Sequence, residues 1–436
     1  YEVEFLPALI LLAVLGILVL ERAVAGRPAW RRTRCGWGVL LAFSLAFNLF
    51  ATFGLYRAPP VTEQKTTEKR TKPVAVERRT DTIRHMKIYK ASQTPGFFDV
   101  ELRVQWLLAK GNPLSRLDGV IDWERFRPLL EAALAKPAKG PGGPRPNDPL
   151  KLFKALLVQR FYNLSDEQTE YQINDRLSFQ QFIGWTLADK IPDANTLWDF
   201  RETLVAAGAF EKLFALFDEQ LHARGLLAQP GKLVDASFVD VPRQRNNREE
   251  NATIKNGAVP ESWEAQPSKR RQKDVDARWT KKNAEVHYGY KNHVKADAQS
   301  KLIEKYAVTE ASVHDSQMLE PLVEPTDGAV YADSAYRSAE TEALLAQQHV
   351  TSQIHERAYR NRPLTDAQKE TNRQKSRIRV RIEHVFGYMS QSMKGFYLRY
   401  IGKRRNAAAI GMINLIYNLA RYEQIVRLQL LPLRVG

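Results

Sequence analysis

Val330–Ser338 reads VYADSAYRS: a short apolar run stops at a lone carboxylate, Asp333, and small residues and an aromatic follow. Such a run has the composition of a buried strand. An acid at its end either caps the next turn or stands at the sheet edge for chemistry. Ser334 and Ser338 offer the same capping, so the question is whether the chain supplies partners for Asp333.

The neighbouring segments supply two. GKLVDASFVDV, Gly231–Val241, reads as a strand and carries Asp235. HYGYKNHVKADAQ (His287–Gln299) and KLIEKYAVTEAS (Lys301–Ser312) alternate as a hairpin joined near Ser300. HDSQMLEPLV is a short helix, AVYADSAY the next strand, SAETEALLAQQ a helix and VTSQIHER a last strand. A long helix follows over Ala367–Met393. The order predicts an α/β fold, a mixed sheet with helices on its faces. Between Val241 and Lys282 the chain is polar and basic without a clear period.

On the long helix, Lys375, Arg379 and Glu383 are four apart and share a face, while Arg377 and Arg381 lie on a neighbouring one. Ile382 and Val385 flank Glu383, so this stretch is half-buried. An i, i+4 ion pair explains Arg379 and Glu383 taken alone. Two strand acids and a helix acid in this order point instead to a three-carboxylate site. Asp240 lies five after Asp235, faces the other side of a regular strand and is left out of it.

Upstream, Asp118–Leu134 has helical spacing, and KPAKGPGGPRP (Lys136–Pro146) is a Pro/Gly-rich linker. Three helices are predicted next. The first spans Asp148–Asn163 with Leu152, Leu156 and Val158 to the core. The second follows a Ser165/Gln168 capping box, and the third runs from an Asp193 or Asn195 cap to Gly225. These helices read as a helix-turn-helix-like DNA module or as a plain helical packing domain. Arg160, Arg176 and Arg201 are its candidate contacts.

The chain has 436 residues, a net charge of +16 and a pI near 9.7, which points to a polyanionic partner. Cys35 is the single cysteine, which excludes an internal disulfide and a cysteine-based zinc site. The eight histidines lack metal-binding spacing, so a metal would sit on carboxylates, which favours Mg²⁺ or Mn²⁺.

The front end differs in kind. Phe5–Leu20 and Cys35–Tyr56 are uncharged runs, predicted as transmembrane segments. The Arg-rich loop between them belongs in the cytoplasm, so a two-helix hairpin would send the rest of the chain outside. Met86 is the first methionine and follows a polar, linker-like stretch. Residues 1–85 are therefore expected to be an in-frame fusion or an over-extended reading frame. A membrane is a partner only if residues 1–60 belong to the protein.

Six ordered segments resemble a known family. QRFYNLSDEQTE with IPDANTLWDFRETL, LVDASFVDVP, HYGYKNHVKAD, VTEASVHDSQML, YADSAYRS and RIRVRIEHVFG together resemble the DDE transposases of the insertion-sequence-five group (InsH-type), within the wider IS4-like transposases. The likeness covers nearly all of Asp118–Gln424. It implies a ribonuclease-H-like catalytic domain behind an all-α helix-turn-helix-like domain. It places the family's catalytic and metal-binding triad on Asp235, Asp333 and Glu383, with two Mg²⁺ or Mn²⁺ ions. Arg379 fits the arginine of the family's Tyr-x2-Arg-x3-Glu-x6-Lys signature, whereas Ser376 and Ser390 stand at its Tyr and Lys positions. Lys394, three turns beyond Glu383 on a helix, is the candidate replacement for that lysine.

The implied activity is that of a bacterial insertion-sequence transposase, which cleaves DNA at the element ends and joins them to target DNA. A homodimer is expected in the DNA complex, in the cytoplasm or nucleoid. Lys375, Arg377, Arg379, Arg381, Lys403, Arg404 and Arg405 are the expected phosphate contacts, with a solvated basic face as the plain alternative. His287, Lys291 and His293 share one side of a strand near the sheet's active edge, either as supporting or DNA-contacting residues or as satisfied structural ones. Expected domains are 1–60 hydrophobic; 61–117 linker and start of the body; 118–225 helical, with a 136–147 linker; 226–424 catalytic; and 425–436 tail. The alternatives are a structure-selective nuclease of the same fold, an inactive domesticated DNA-binding protein and a membrane-tethered protein.

Overall fold

Strong caps and helical apolar spacing make the first part of the described chain helical. The computed structural model describes residues 96–433, apart from 97, 136–145, 228–230, 283, 360 and 361. The two uncharged runs lie outside these residues. Among the described residues, no helix is long and apolar enough to cross a membrane.

The helices are α1 (Asp99–Ala109), α2 (Pro113–Val120), α3 (Arg127–Leu134), α4 (Pro149–Phe161), α5 (Asp166–Asp175), α6 (Leu177–Ile183), α7 (Ala194–Ala206) and α8 (Ala209–Ala223). Asp148 caps α4 by accepting from the Leu150 amide at 2.8 Å, with Pro149 at the first helical position. Leu152, Leu156 and Val158 are buried as the spacing requires. Ser165 and Gln168 cap α5 reciprocally at 3.1 and 3.2 Å. Asp193, not Asn195, caps α7. The single helix expected from there to Gly225 is two, because Gly208 at φ 58° turns the chain between them.

The sheet follows. Its strands are β1 (Lys232–Asp240), β2 (Arg278–Lys282), β3 (Glu285–Asp297), β4 (Ile303–Glu310), β5 (Ala329–Tyr331) and β6 (Thr351–Ser352). The order is β2–β3–β1–β5–β6, with β4 also on β3. β2 and β4 take different halves of the long β3, both antiparallel. β1 runs antiparallel to β3 and parallel to β5, and β5 parallel to β6, so the sheet is mixed. Gly289 cannot be another residue: its φ is 150°, and a Cβ there would collide with the Val239 carbonyl on β1.

The segment expected to be featureless between β1 and β2 is folded into α9 (Arg248–Lys255), α10 (Glu261–Glu264) and α11 (Pro267–Arg271). Helices this short leave no readable period and are held by tertiary anchors. The buried Trp263 donates from Nε1 to Glu250 at 2.6 Å, and Asn247 with Glu250 forms a capping box.

Three more helices flank β5 and β6: α12 (Leu319–Leu322), α13 (Ala339–Gln347) and α14 (Asp366–Arg379). The last two are α15 (Arg381–Gln391) and α16 (Lys403–Leu428). The continuous helix expected over Ala367–Met393 is broken at Val380, where α14 gives way to α15. α16 was not foreseen. Its middle, residues 409–420, is buried on every side, as a helix through the centre of a core must be. Its buried amides need partners and have them. Asn414 and Asn292 of β3 exchange hydrogen bonds at 2.7 and 3.1 Å. Asn418 holds both backbone groups of Ile303 at 2.8 and 2.7 Å. The first turn of α16 is basic, against its own dipole. Asp274 and Asp276 offset this by accepting from the Gly402 and Lys403 amides, each at 2.9 Å.

Candidate active site

The acids come from three elements that the sheet draws together. Asp235 lies mid-way along β1. The β1–β5 register pairs Lys232 with Val330 and Leu233 with Tyr331. Continued two residues further, it brings Asp235 level with Asp333. Asp333 lies two residues beyond Tyr331, the end of β5, and its Oδ1 accepts from the Ala335 amide at 2.6 Å. The cap and the sheet edge are thus both real, and Ser338 caps α13 independently. Glu383 stands in the first turn of α15, beside the fully buried Ile382 and Val385.

Arg379 ties two of the three. Its Nη1 donates to Asp235 Oδ2 at 3.1 Å, and its Nη2 lies 3.7 Å from Glu383 Oε1. Burial pushes the Asp235 carboxyl up to about 6; the Ala236 amide and Arg379 oppose this, while the Asp333 and Glu383 charges add to it. Like charges sharing a partly buried site hold one another's ionisation back. A hard cation would relieve that repulsion, and carboxylate oxygens are the donors that Mg²⁺ or Mn²⁺ takes; among the described residues, though, the acids gathered closely enough for one ion are Glu304, Glu324 and Asp327 and not these three.

The other expected residues fall in several places. His287, Lys291 and His293 do share one sheet face, but the β1–β3 register puts it opposite the Asp235 side chain, which corrects their placement at the active edge. His287 stacks on Phe238 with ring centres 4.1 Å apart, and its Nδ1 lies 3.4 Å from Asp240. Lys291 donates to the Val313 carbonyl and Asp315 at 2.6 and 2.8 Å. His293 is fully buried against Thr309 at 2.8 Å.

Among the basic residues, Arg377 is exposed on α14. Lys375 donates to the Ile354 carbonyl and Arg381 to that of Ala298, each at 2.8 Å. Lys394 is exposed but not on a helix, a second correction: α15 ends at Gln391 and Lys394 adopts a left-handed φ of 47°. Lys403, Arg404 and Arg405 form the exposed first turn of α16, with Arg405 bonded to Glu202 at 3.1 and 2.8 Å.

Two neighbours of the acids carry no sequence signal. Tyr336 is buried, its hydroxyl lacks a partner among the described residues, and burial, then Asp235, Asp315 and Asp333, push its ionisation well above the usual range. His355 bonds Ser376 at 3.2 Å; burial and Arg379 hold it below its ordinary value while Asp333 opposes them. Their position depends on how β5 and β6 pack, which no local pattern encodes.

A second acidic cluster, Glu304, Glu324 and Asp327, has carboxylate oxygens close enough for an ion. Its centre is already taken. The fully buried Lys295 ammonium lies 3.5, 3.0 and 2.9 Å from these three residues. A metal could enter only by displacing it.

Two acids at neighbouring interior strands and a third on a helix beside them, in a basic chain, fit a DNA-processing enzyme. A family model described as a transposase DDE domain matches residues 228–419, and one described as a transposase domain matches residues 103–203. Together they span more than half of the chain, which belongs to the DDE transposases. Among solved structures, a cryo-EM structure of the piggyBac transposase synaptic complex with hairpin DNA matches at 12% identity and a TM-score of 0.37, covering 73% of this chain and 76% of that one.

Proposed function

We propose that this transposase acts at Asp235, Asp333 and Glu383 on a ribonuclease-H-like sheet, binding the ends of a bacterial insertion sequence of the insertion-sequence-five group. The observation that carries the reading is the meeting of Asp235 and Glu383 on Arg379, with Asp333 near enough for its charge to raise the Asp235 carboxyl. Leaving β2 aside, the strand order β4–β3–β1–β5–β6 supports the fold.

Asp235, Asp333 and Glu383 would hold two Mg²⁺ ions. Bound there, the ions would supply charge relief to the attacking and leaving oxygens of a phosphodiester. Arg379 holds Asp235 and Glu383 in orientation, and the Ala335 amide holds Asp333. The reaction has two parts: water cleaves the element end to free a 3′-hydroxyl, and that hydroxyl then displaces a target phosphodiester. Each part exchanges one P–O bond for another, so no nucleotide is consumed. The exposed Arg377, Lys394, Lys403 and Arg404 would contact DNA phosphates, in a homodimer that pairs two ends in the cytoplasm.

The test is strand transfer. The full chain, Mg²⁺, a duplex ending in the element's own terminus and a supercoiled target are incubated together. Covalent joining of the freed 3′-end to the target is expected. Cleavage with no joined product under any pairing of ends would make the protein a nuclease.

A further inference from the structure

Among the described residues, Arg160 is a buried cation without a counter-ion. It sits in the last turn of α4 and is 9% exposed. Its guanidinium bonds the Asn163 amide oxygen, and its Nε has no hydrogen-bond partner among the described residues. The acids bonded to the neighbouring arginines are already used. Asp166 is held by both Nη atoms of Arg201, and Glu202 by Arg405 at 2.8 Å. Three guanidinium groups therefore face two carboxylates. The α4 C-terminus offers at most about half a negative charge. Burying an unpaired charge is costly, and a protein that keeps one normally pairs it in some state.

Arg160, Arg201, Arg405 and Tyr400 line one cleft with Glu202, the acid that Arg405 holds, against apolar Phe210 and Met412. Its empty volume is about 460 Å³, counting the open mouth. Arg404 lines the adjoining hollow. The cleft lies where the helical segment meets the first turns of α16, so an occupant would touch both.

We propose that this cleft is an anion seat for a phosphate group, recognised by the Arg160 guanidinium. A guanidinium donates charge-assisted hydrogen bonds to phosphate oxygens. The phosphate-binding chemistry follows from the cleft. That the phosphate belongs to the DNA backbone rests on the transposase reading.

The test uses the full chain, its R160M and R160K forms, and inorganic phosphate as the probe. Thermal unfolding is followed as phosphate replaces chloride at constant ionic strength, and binding of a mixed-sequence duplex is followed against salt. The seat predicts a Tm rise that saturates in the wild type, weakens in R160K and is absent in R160M. R160M loses an unpaired buried charge, so without phosphate it is expected to be at least as stable as the wild type. A DNA phosphate predicts in addition that R160M lowers the slope of log K against log salt by about 1. An unchanged slope with the thermal response intact assigns the seat to a small phosphate compound instead. Equal thermal responses in wild type and R160M, or a wild-type response that never saturates, overturns the seat. Absence of DNA binding in every form would sink the transposase reading and leave the thermal comparison to decide the seat.

Discussion

Replacing Lys295 with methionine separates a charge cage from a metal site. Lys295 is fully buried on β3 and neutralises Glu304, Glu324 and Asp327. Two of these acids have another cation: Glu324 keeps Lys305 at 2.9 Å and Glu304 keeps Lys232 at 3.2 Å. Asp327 has none among the described residues. It is fully buried and retains only hydrogen bonds such as that from the Glu324 amide at 2.8 Å. Removing one partner of a buried pair costs about 3–5 kcal/mol. The retained amide bond puts the expected loss for K295M near the low end, about 3 kcal/mol. Urea unfolding at neutral pH reads it directly. K295M/D327L, which removes both charges, should recover most of the loss, with a coupling of about 2 kcal/mol or more. A loss under about 1 kcal/mol for K295M, or strict additivity, would refute the cage. So would Mg²⁺ that stabilises the wild type but not D327N.

Two further outcomes follow from the packing. Burial above all holds His293 down at about 4, below its ordinary value, with Lys291 acting the same way and Asp315 against it. The unfolded chain therefore binds the extra proton first: stability is full above the ordinary histidine value and falls as pH drops toward 4. The loss attributable to His293 is at most about 3 kcal/mol, and H293Q should flatten that window in urea midpoints taken across it. Gly289→Ala forces a Cβ onto the Val239 carbonyl at a φ that favours glycine, so it should cost at least about 2 kcal/mol by thermal unfolding. A loss within about 0.5 kcal/mol would mean that β1 and β3 are not so closely apposed.

The three acids stand out in the sequence for local reasons: Asp235 interrupts an apolar run, Asp333 ends one, and Glu383 sits beside Ile382 on a basic helix. Caps were legible for a similar reason, since Ser165/Gln168 and Asp193 act over three residues. α16 was not, because its middle, residues 409–420, is buried on all sides and leaves no polar stripe to set a period. The break at Val380 was hidden too, since no glycine or proline marks it in RIRVRIEHV. β3 marks another boundary. Alternation tells which residues share a face, but only the register with β1 tells that His293 and Asp235 face apart.

The central claim is that Asp333 holds a metal ion at the reacting phosphodiester. The most direct measurement compares cleavage of the element's own end by the wild type, D333A and D333C, in Mg²⁺ and in Mn²⁺. A thiolate is a poor ligand for Mg²⁺ and a better one for the softer Mn²⁺. D333C should therefore bind DNA but fail to cut in Mg²⁺ and regain cutting in Mn²⁺, while D333A fails in both. Wild-type cleavage by D333A in Mg²⁺ would contradict the account.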